Sequence, residues 1–286
     1  MKKALITGVG GQVGKALRAT VPLGWNCVAL DRRALDISDP EAIQRIVEQE
    51  RPDCILNAAA YTAVDRAEND AEAAYAVNAG APAAFAKAVE AFGGRLVQLS
   101  TDFVFDGDSG TAYRPEDPRN PQSVYGASKA AGEDAAGKDA IIVRTSWVYA
   151  AGGANFVRTM LRLMGERDQL HVVADQIGSP TWATGLARSL WGRAEADKPG
   201  IYHHRDAGVA SWYDFAVAIA EEALALGLLL RSPKILPITT EQYPTPARRP
   251  AFSVLDVGDT SKAQGDNPVH WRANLRTMLN EEMHLG

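Results

Sequence analysis

The chain is short of most features that would mark it for an extracellular, membrane or nucleic-acid role. Two cysteines, Cys27 and Cys54, are too few for a disulfide framework and have no zinc-type spacing, which predicts a reducing compartment. The five histidines do not cluster, and adjacent His203 and His204 would point to opposite faces of a strand. No metal site is expected. The longest apolar run, 223–230, is far short of a membrane span. The charged, then apolar start at 1–7 stops at Gly8, too soon for a signal peptide. A net charge of −5 gives no electrostatic reason to bind nucleic acid or an anionic membrane. Repeats and low-complexity segments are absent. What remains is a chain of 286 residues, 46% hydrophobic and 23% charged, with ample material for a core and an expected place in the cytoplasm.

The first half alternates short apolar runs with helical stretches. Strands are expected at 3–7, 25–30, 53–58, 96–100 and 140–145, and helices at 11–20, 67–77, 81–91 and 125–137. Ser38, with Pro40 and Glu41 after it, reads as a capping-box helix start. Continuous apolar strands separated by helices predict an α/β fold, a doubly wound parallel sheet of Rossmann type covered on both faces. From residue 151 proline- and glycine-rich connections increase, and helices at 155–165, 212–226 and 271–283 carry aromatics. The expected division is a dinucleotide-binding domain at 1–150 and a smaller, largely helical substrate lobe at 151–286. Segments near 168–181 and 233–250 are expected to return to the first domain.

Gly8, Gly11 and Gly14 lie between the first strand and the first helix, with Gln12 and Val13 among them. A pyrophosphate at a helix N-terminus must approach backbone amides, and side chains at these positions would block it. Asp31, at the end of the second strand, can accept from an adenosine ribose hydroxyl. Arg32 and Arg33 follow, suited either to a 2′-phosphate or to solvent, so the reading allows NADPH and NADH with a lean to NADPH.

Tyr125 and Lys129 stand one helical turn apart on one face. A phenol has a pKa of about 10, and a nearby ammonium favours the phenolate, so the pair can act as a general acid/base unit.

Gly8, Gly11 and Gly14, then Asn57-Ala-Ala-Ala60, Ser100-Thr-Asp102 and the Tyr125–Lys129 pair together resemble the extended short-chain dehydrogenase/reductases. Narrower stretches resemble the dTDP-4-dehydrorhamnose reductase family within them: 100–107, 144–149, 175–181 and 243–250. The likeness implies hydride transfer from a nicotinamide cofactor to the 4-keto carbon of a dTDP-linked deoxyhexulose. Tyr125 would protonate the developing alkoxide, and Lys129 would lower the phenol's pKa and bind the nicotinamide ribose. Thr101, at a strand end, would hold the reacting oxygen, with Asp102 beside it.

By the same likeness Ala60, Tyr61 and Thr62 would line the cofactor, and Asp36 and Ile37 would flank its adenine. Trp147 would stack on the substrate or pack between the lobes. Asn155, Gln176 and Arg249 are further substrate candidates, and Arg248 and Arg249 lie in a proline-stiffened loop suited to a diphosphate. Sister dehydratases carry an Asp-Glu pair after the strand-end threonine, whereas here Phe103 follows Asp102. An epimerase and a non-catalytic NADP-binding regulatory subunit are the alternatives on this fold.

Some members of the family dimerise through magnesium held partly by a glutamate just after the third glycine. Here that stretch reads Lys15-Ala-Leu17, so a monomer or weak homodimer is expected. Activity and sedimentation mass should therefore be indifferent to EDTA; a drop in either that magnesium restores would overturn this.

Overall fold

The computed structural model describes residues 1–258 and 269–285. The first half runs β1 (Lys2–Thr7), α1 (Gln12–Ala19), β2 (Trp25–Leu30), α2 (Pro40–Glu50) and β3 (Cys54–Asn57). Two short helices follow, α3 (Val64–Ala67) and α4 (Ala71–Tyr75), then a π-helical turn (Ala76–Gly80) that leads into α5 (Ala81–Glu90). Next come β4 (Arg95–Thr101), a single 3-10 turn (Asp102–Val104), α6 (Val124–Ala136) and β5 (Ile141–Thr145). The second half holds β6 (Val148–Tyr149), α7 (Phe156–Glu166), β7 (Gln169–Val173), β8 (Ile177–Gly178) and β9 (Thr181–Trp182). It continues with α8 (Ala183–Ala196), β10 (Gly200–His203), β11 (Ala210–Ser211), α9 (Trp212–Ala225), β12 (Lys234–Ile238) and α10 (Trp271–Met283).

The main sheet has the order β10-β5-β4-β3-β1-β2, and its neighbours pair in parallel. After β1 the chain moves to β2 on one side, then crosses back to β3 on the other. That reversal leaves a crevice at the carboxyl ends of β1 and β3, where doubly wound sheets take ligands. Both faces are covered. Ala4, Ile6, Leu56 and Val97 pack with α1 and α8 on one face, and Leu5, Ile55, Leu96 and Ile142 with α2 and α5 on the other. Each leucine, isoleucine or valine taken fully from water contributes roughly 1.5–3 kcal/mol, which is why these strands read as unbroken apolar runs. A separate core under the second lobe gathers Tyr149, Val157, Met164, Phe215, Trp271 and Leu275.

The division of the chain differs from the expected one. The segment that returns to the first domain is α8 with β10: α8 lies on α1, Trp191 donates to the Leu17 carbonyl at 3.0 Å, and β10 extends the sheet beside β5. The start of 168–181 stays with the second lobe, where β7 pairs with β12 and Leu170 and Val172 join its core. Its end reaches the chain just after β5, with the Ser179 carbonyl accepting from Ser146 and the Thr181 amide donating to the Trp147 carbonyl. From 233–250 only the end reaches back, where Ala247 and Arg249 bond to Asp65. Helix α8 carries no start signal because Trp182 occupies its N-cap and no side chain caps it. Among the described residues no helix is long and apolar enough to cross a membrane.

Cys54 is buried, with its thiol pushed up to about 12 by desolvation, while Cys27 is exposed rather than within a buried strand. The capping box expected at Ser38 is also displaced by one residue. Asp39 caps α2, accepting from the Glu41 and Ala42 amides at 2.9 and 3.1 Å, and Ser38 instead donates to Asp36. A carboxylate one residue nearer the proline reaches the first-turn amides directly. Asp39→Ala should therefore cost about 1 kcal/mol, read as a lower denaturation midpoint, and Ser38→Ala clearly less. The reverse order would restore Ser38 as the cap.

Candidate functional site

The crevice begins at the β1–α1 turn. Gly11 donates to the Gly8 carbonyl at 2.9 Å, and α1 starts with neither a side-chain cap nor an acidic residue in its first turn. A Cβ on Gly14 would lie 2.2 Å from the Gly8 carbonyl oxygen, so only glycine lets the helix press against the turn. The result is a helix N-terminus open to an anion. Beneath it a polar ladder crosses the strands: Thr7 donates to Asn57 at 2.6 Å, and Asn57 to Gln98 at 2.7 Å.

From this turn a cleft of about 1640 Å³ runs in both directions. One end is lined by Asp31, Arg32, Asp36 and Ile37. Asp31 accepts from the Arg33 and Ala34 amides, each at 2.9 Å, which folds the loop around it. Hydrogen bonds from Ser38 hold the Asp36 carboxyl below its usual range. Arg32 lines the cleft and Arg33 does not. The middle is lined by Gly8, Gly11, Gln12, Val13, Ala60, Tyr61 and Thr62. Asn78, in the π-helical turn, braces this wall by accepting from the Tyr61 amide and donating to the Tyr61 carbonyl and Ser128. No motif singles out Asn78; a polar residue inside a helical stretch reads as surface.

The far end holds Thr101, Asp102, Tyr125, Lys129, Trp147 and Arg249. Thr101 ends β4, accepts from the Phe103 amide at 3.2 Å and donates to Asp102 at 2.9 Å. Ser123, two residues before Tyr125, caps α6, accepting from the Gly126 amide. A Cβ on Gly126 would lie 2.2 Å from the Phe103 carbonyl oxygen. The absence of that atom lets the first turn of α6 rest on the backbone just past Thr101, which sets Tyr125 beside Thr101.

Burial dominates the electrostatics here. It pushes the Tyr125 phenol up to about 12, helped by the Asp102 charge and opposed by the Thr101 hydroxyl. It pushes the Lys129 ammonium down to about 8, against the pull of Glu133. It lifts Asp102 to about 6, although the hydroxyls of Ser253 and Thr101 act the other way. The expected lowering of the phenol by Lys129 is not found; burial governs Tyr125 instead. The ammonium instead donates to the Leu99 carbonyl at 2.6 Å.

The second lobe supplies an aromatic wall. Trp147 takes a left-handed backbone, φ +47°, and stacks on Trp212 with centroids 3.5 Å apart and planes 6° from parallel. Gly178 leaves room for the indole, since a Cβ there would come within 2.5 Å of it. Both tryptophans line the cleft. Trp212 follows the capping box of Ser211 and Asp214, a signal that locates the helix start but not the ring's role.

Two expected substrate residues are engaged with other parts of the protein. Gln176 is not in the cleft wall; it accepts from Trp212 Nε1 at 3.2 Å and donates to Thr240 at 3.0 Å. Asn155 is outside it as well, capping α7 and donating to Gln12 at 2.8 Å. Arg249 lines the cleft, but Asp65 of α3 holds it in a two-pronged ion pair at 2.9 and 2.8 Å. The guanidinium keeps the Asp65 carboxyl below its usual range. Arg248 stays at the surface, bonded to Gln122.

A glycine turn at the switch point of a parallel sheet, with a strand-end threonine beside a tyrosine and a lysine one helical turn apart, defines an extended short-chain dehydrogenase/reductase. Within that class, the chain belongs to the family of the RmlD substrate binding domain, whose model it matches over residues 1–284. It is 44% identical to a dTDP-4-dehydrorhamnose reductase of Burkholderia thailandensis, over 94% of this chain and 95% of that one. It is 42% identical to the spore coat polysaccharide biosynthesis protein SpsK of Bacillus subtilis, over 98% of each. The fold superposes on a dTDP-4-dehydrorhamnose reductase from Bacillus anthracis, solved in complex with NADP, with a TM-score of 0.92. That pair shares 36% identity over 98% of this chain and 100% of the other.

The close approach at Gly126 is directly testable. Gly126→Ala should lower turnover by about tenfold or more through displacement of Tyr125 from Thr101, with NADPH affinity nearly unchanged. Full turnover in a folded variant would show that this contact does not set the register.

Proposed function

We propose that this protein reduces the 4-keto group of dTDP-4-dehydro-L-rhamnose to give dTDP-L-rhamnose, with NADPH as reductant. The observation that carries the reading is one cleft joining an anion-receptive helix start to Thr101, Tyr125 and Lys129, in a chain of the family just described. The close packing at Gly14 and the open first turn of α1 fit a dinucleotide's pyrophosphate. NADPH, when bound, supplies the hydride.

The residues of the chain do the rest. Tyr125 stays protonated across neutral pH, which suits a proton donor to the carbonyl oxygen as it gains charge. Thr101 stands beside Tyr125 and would fix that oxygen. Lys129 offers a buried ammonium beside them, which stabilises negative charge more strongly than it would in water. Trp147 and Trp212 offer a flat apolar wall for the sugar, and Arg249 a guanidinium for the diphosphate. Arg32 is the residue placed to favour a 2′-phosphate; NADH remains a second reductant because Asp31 serves a ribose hydroxyl equally. A cytoplasmic enzyme acting as a monomer or weak homodimer fits this reading.

Turnover of the dTDP-linked keto sugar, followed by NADPH consumption and product identification, tests the reading. Tyr125→Phe should lose about two orders of magnitude or more in kcat while binding NADPH as the parent does. The free keto sugar should react poorly, because remote binding energy positions the reacting carbon. NADPH binding with no turnover would favour the regulatory-subunit alternative, and equal rates for free and linked sugar would point to a general carbonyl reductase.

A further inference from the structure

Helix α6 carries a third side chain on the face that bears Tyr125 and Lys129. Glu133 lies one turn beyond Lys129 and is fully buried, with 2% of its side chain exposed. Its carboxylate accepts from Ser100 Oγ at 2.5 Å, from Arg144 Nε and Nη2 at 2.8 and 2.7 Å, and from Arg119 Nη1 at 3.2 Å. Ser100 and Arg144 are register partners across β4 and β5, and Ser100 directly precedes Thr101. One carboxylate therefore ties α6 to two strands, at the residue next to the one that meets Tyr125.

A net stability gain does not explain such a group. Burying charges costs several kcal/mol per ion, and apolar replacements of buried ion pairs are often neutral. What the arrangement does supply is register: four directed hydrogen bonds leave the helix one position along the sheet. We propose that Glu133 is a positioning residue, holding Tyr125 and Lys129 of α6 against Thr101 of β4. The proposal rests on the reductase reading above, which gives those three residues their work.

The surrounding charges fit this role. Arg144 comes from β5, and Arg119 comes from the loop before α6 and also pairs with Asp134 at 2.6 Å. His203 of β10 touches Arg144 at 3.4 Å and is kept neutral, its imidazole pushed down to about 4 by burial and that guanidinium. The cluster is thus two cations against two anions, and the Glu133 charge also favours the Lys129 ammonium.

Two variants test the proposal against the parent protein. Ser100→Ala removes only the tie to β4 and keeps every charge. It should lower kcat about tenfold, since small misplacements at a reacting centre cost up to a hundredfold, with NADPH affinity and the pH profile unchanged. Glu133→Gln removes the charge as well. Its kcat should fall further, and the alkaline loss of activity, expected near pH 8 in the parent from Lys129, should begin at lower pH. The sign follows because the ammonium form is the active one, and losing a nearby anion makes that form easier to deprotonate.

The pH dependence of NADPH affinity without substrate should shift the same way. It separates this proposal from the reductase reading, because it moves even if the parent fails to turn over the keto sugar. Parent-like kcat in Ser100→Ala would overturn the proposal. So would unshifted pH profiles in a folded Glu133→Gln. If Glu133→Gln does not fold, Ser100→Ala decides alone.

Discussion

A parallel sheet covered on both faces can meet a ligand only at its strand ends. Each connection must cross over the sheet and return to the same edge, so the carboxyl ends of β1, β3, β4 and β5 all open one way. Everything chemical here follows from that edge. The glycine turn leaves β1, the wall of Ala60 to Thr62 leaves β3, Thr101 ends β4, and Trp147 follows β5 by two residues. Helix α6, which lies between β4 and β5 in the chain, can reach the same edge only by lying very close to the turn after β4. Gly126 makes that approach sterically open.

Burial around Thr101 biases three ionisable groups toward their neutral forms. Tyr125 and Asp102 are pushed up, and Lys129 is pushed down. A neutral phenol is a proton donor in waiting, and a lysine held nearer to neutrality responds to small changes around it. The same low dielectric is costly for groups that remain charged, and this explains why Glu133 carries so many hydrogen bonds. The histidines next door obey the rule too. His203 ends β10 and His204 follows it, and both are pushed down to about 4 by burial.

What the sequence made legible was whatever depended on local pattern. The strands β1 to β5 announce themselves by apolar runs, the glycine turn by its spacing, and the Tyr125–Lys129 pair by one helical turn. What escaped depended on tertiary company. Helix α8 lacks a polar cap because it is packed on α1 from its first turn, so its start looks like loop. Gln176 and Asn155 look like free polar residues, yet each bonds to a neighbour far away in the chain, Trp212 and Gln12. Trp147 was visible as an aromatic after a buried strand. Its partner Trp212 was visible only as a helix start, because stacking is a relation between distant segments.

The ion pair between Arg249 and Asp65 changes what attraction means at the second-lobe end of the cleft. A solvated arginine gains the full benefit of an arriving anion. Arg249 is already neutralised, so a diphosphate that recruits it must displace a carboxylate, and only the difference between the two partners counts. Salt screens both sides of that exchange. Such an electrostatic swap responds weakly to anions in general and favours the one ligand whose charge and geometry beat a bidentate carboxylate. Selectivity at this point of the cleft is then a competition written into the protein, with Asp65 as the standing rival.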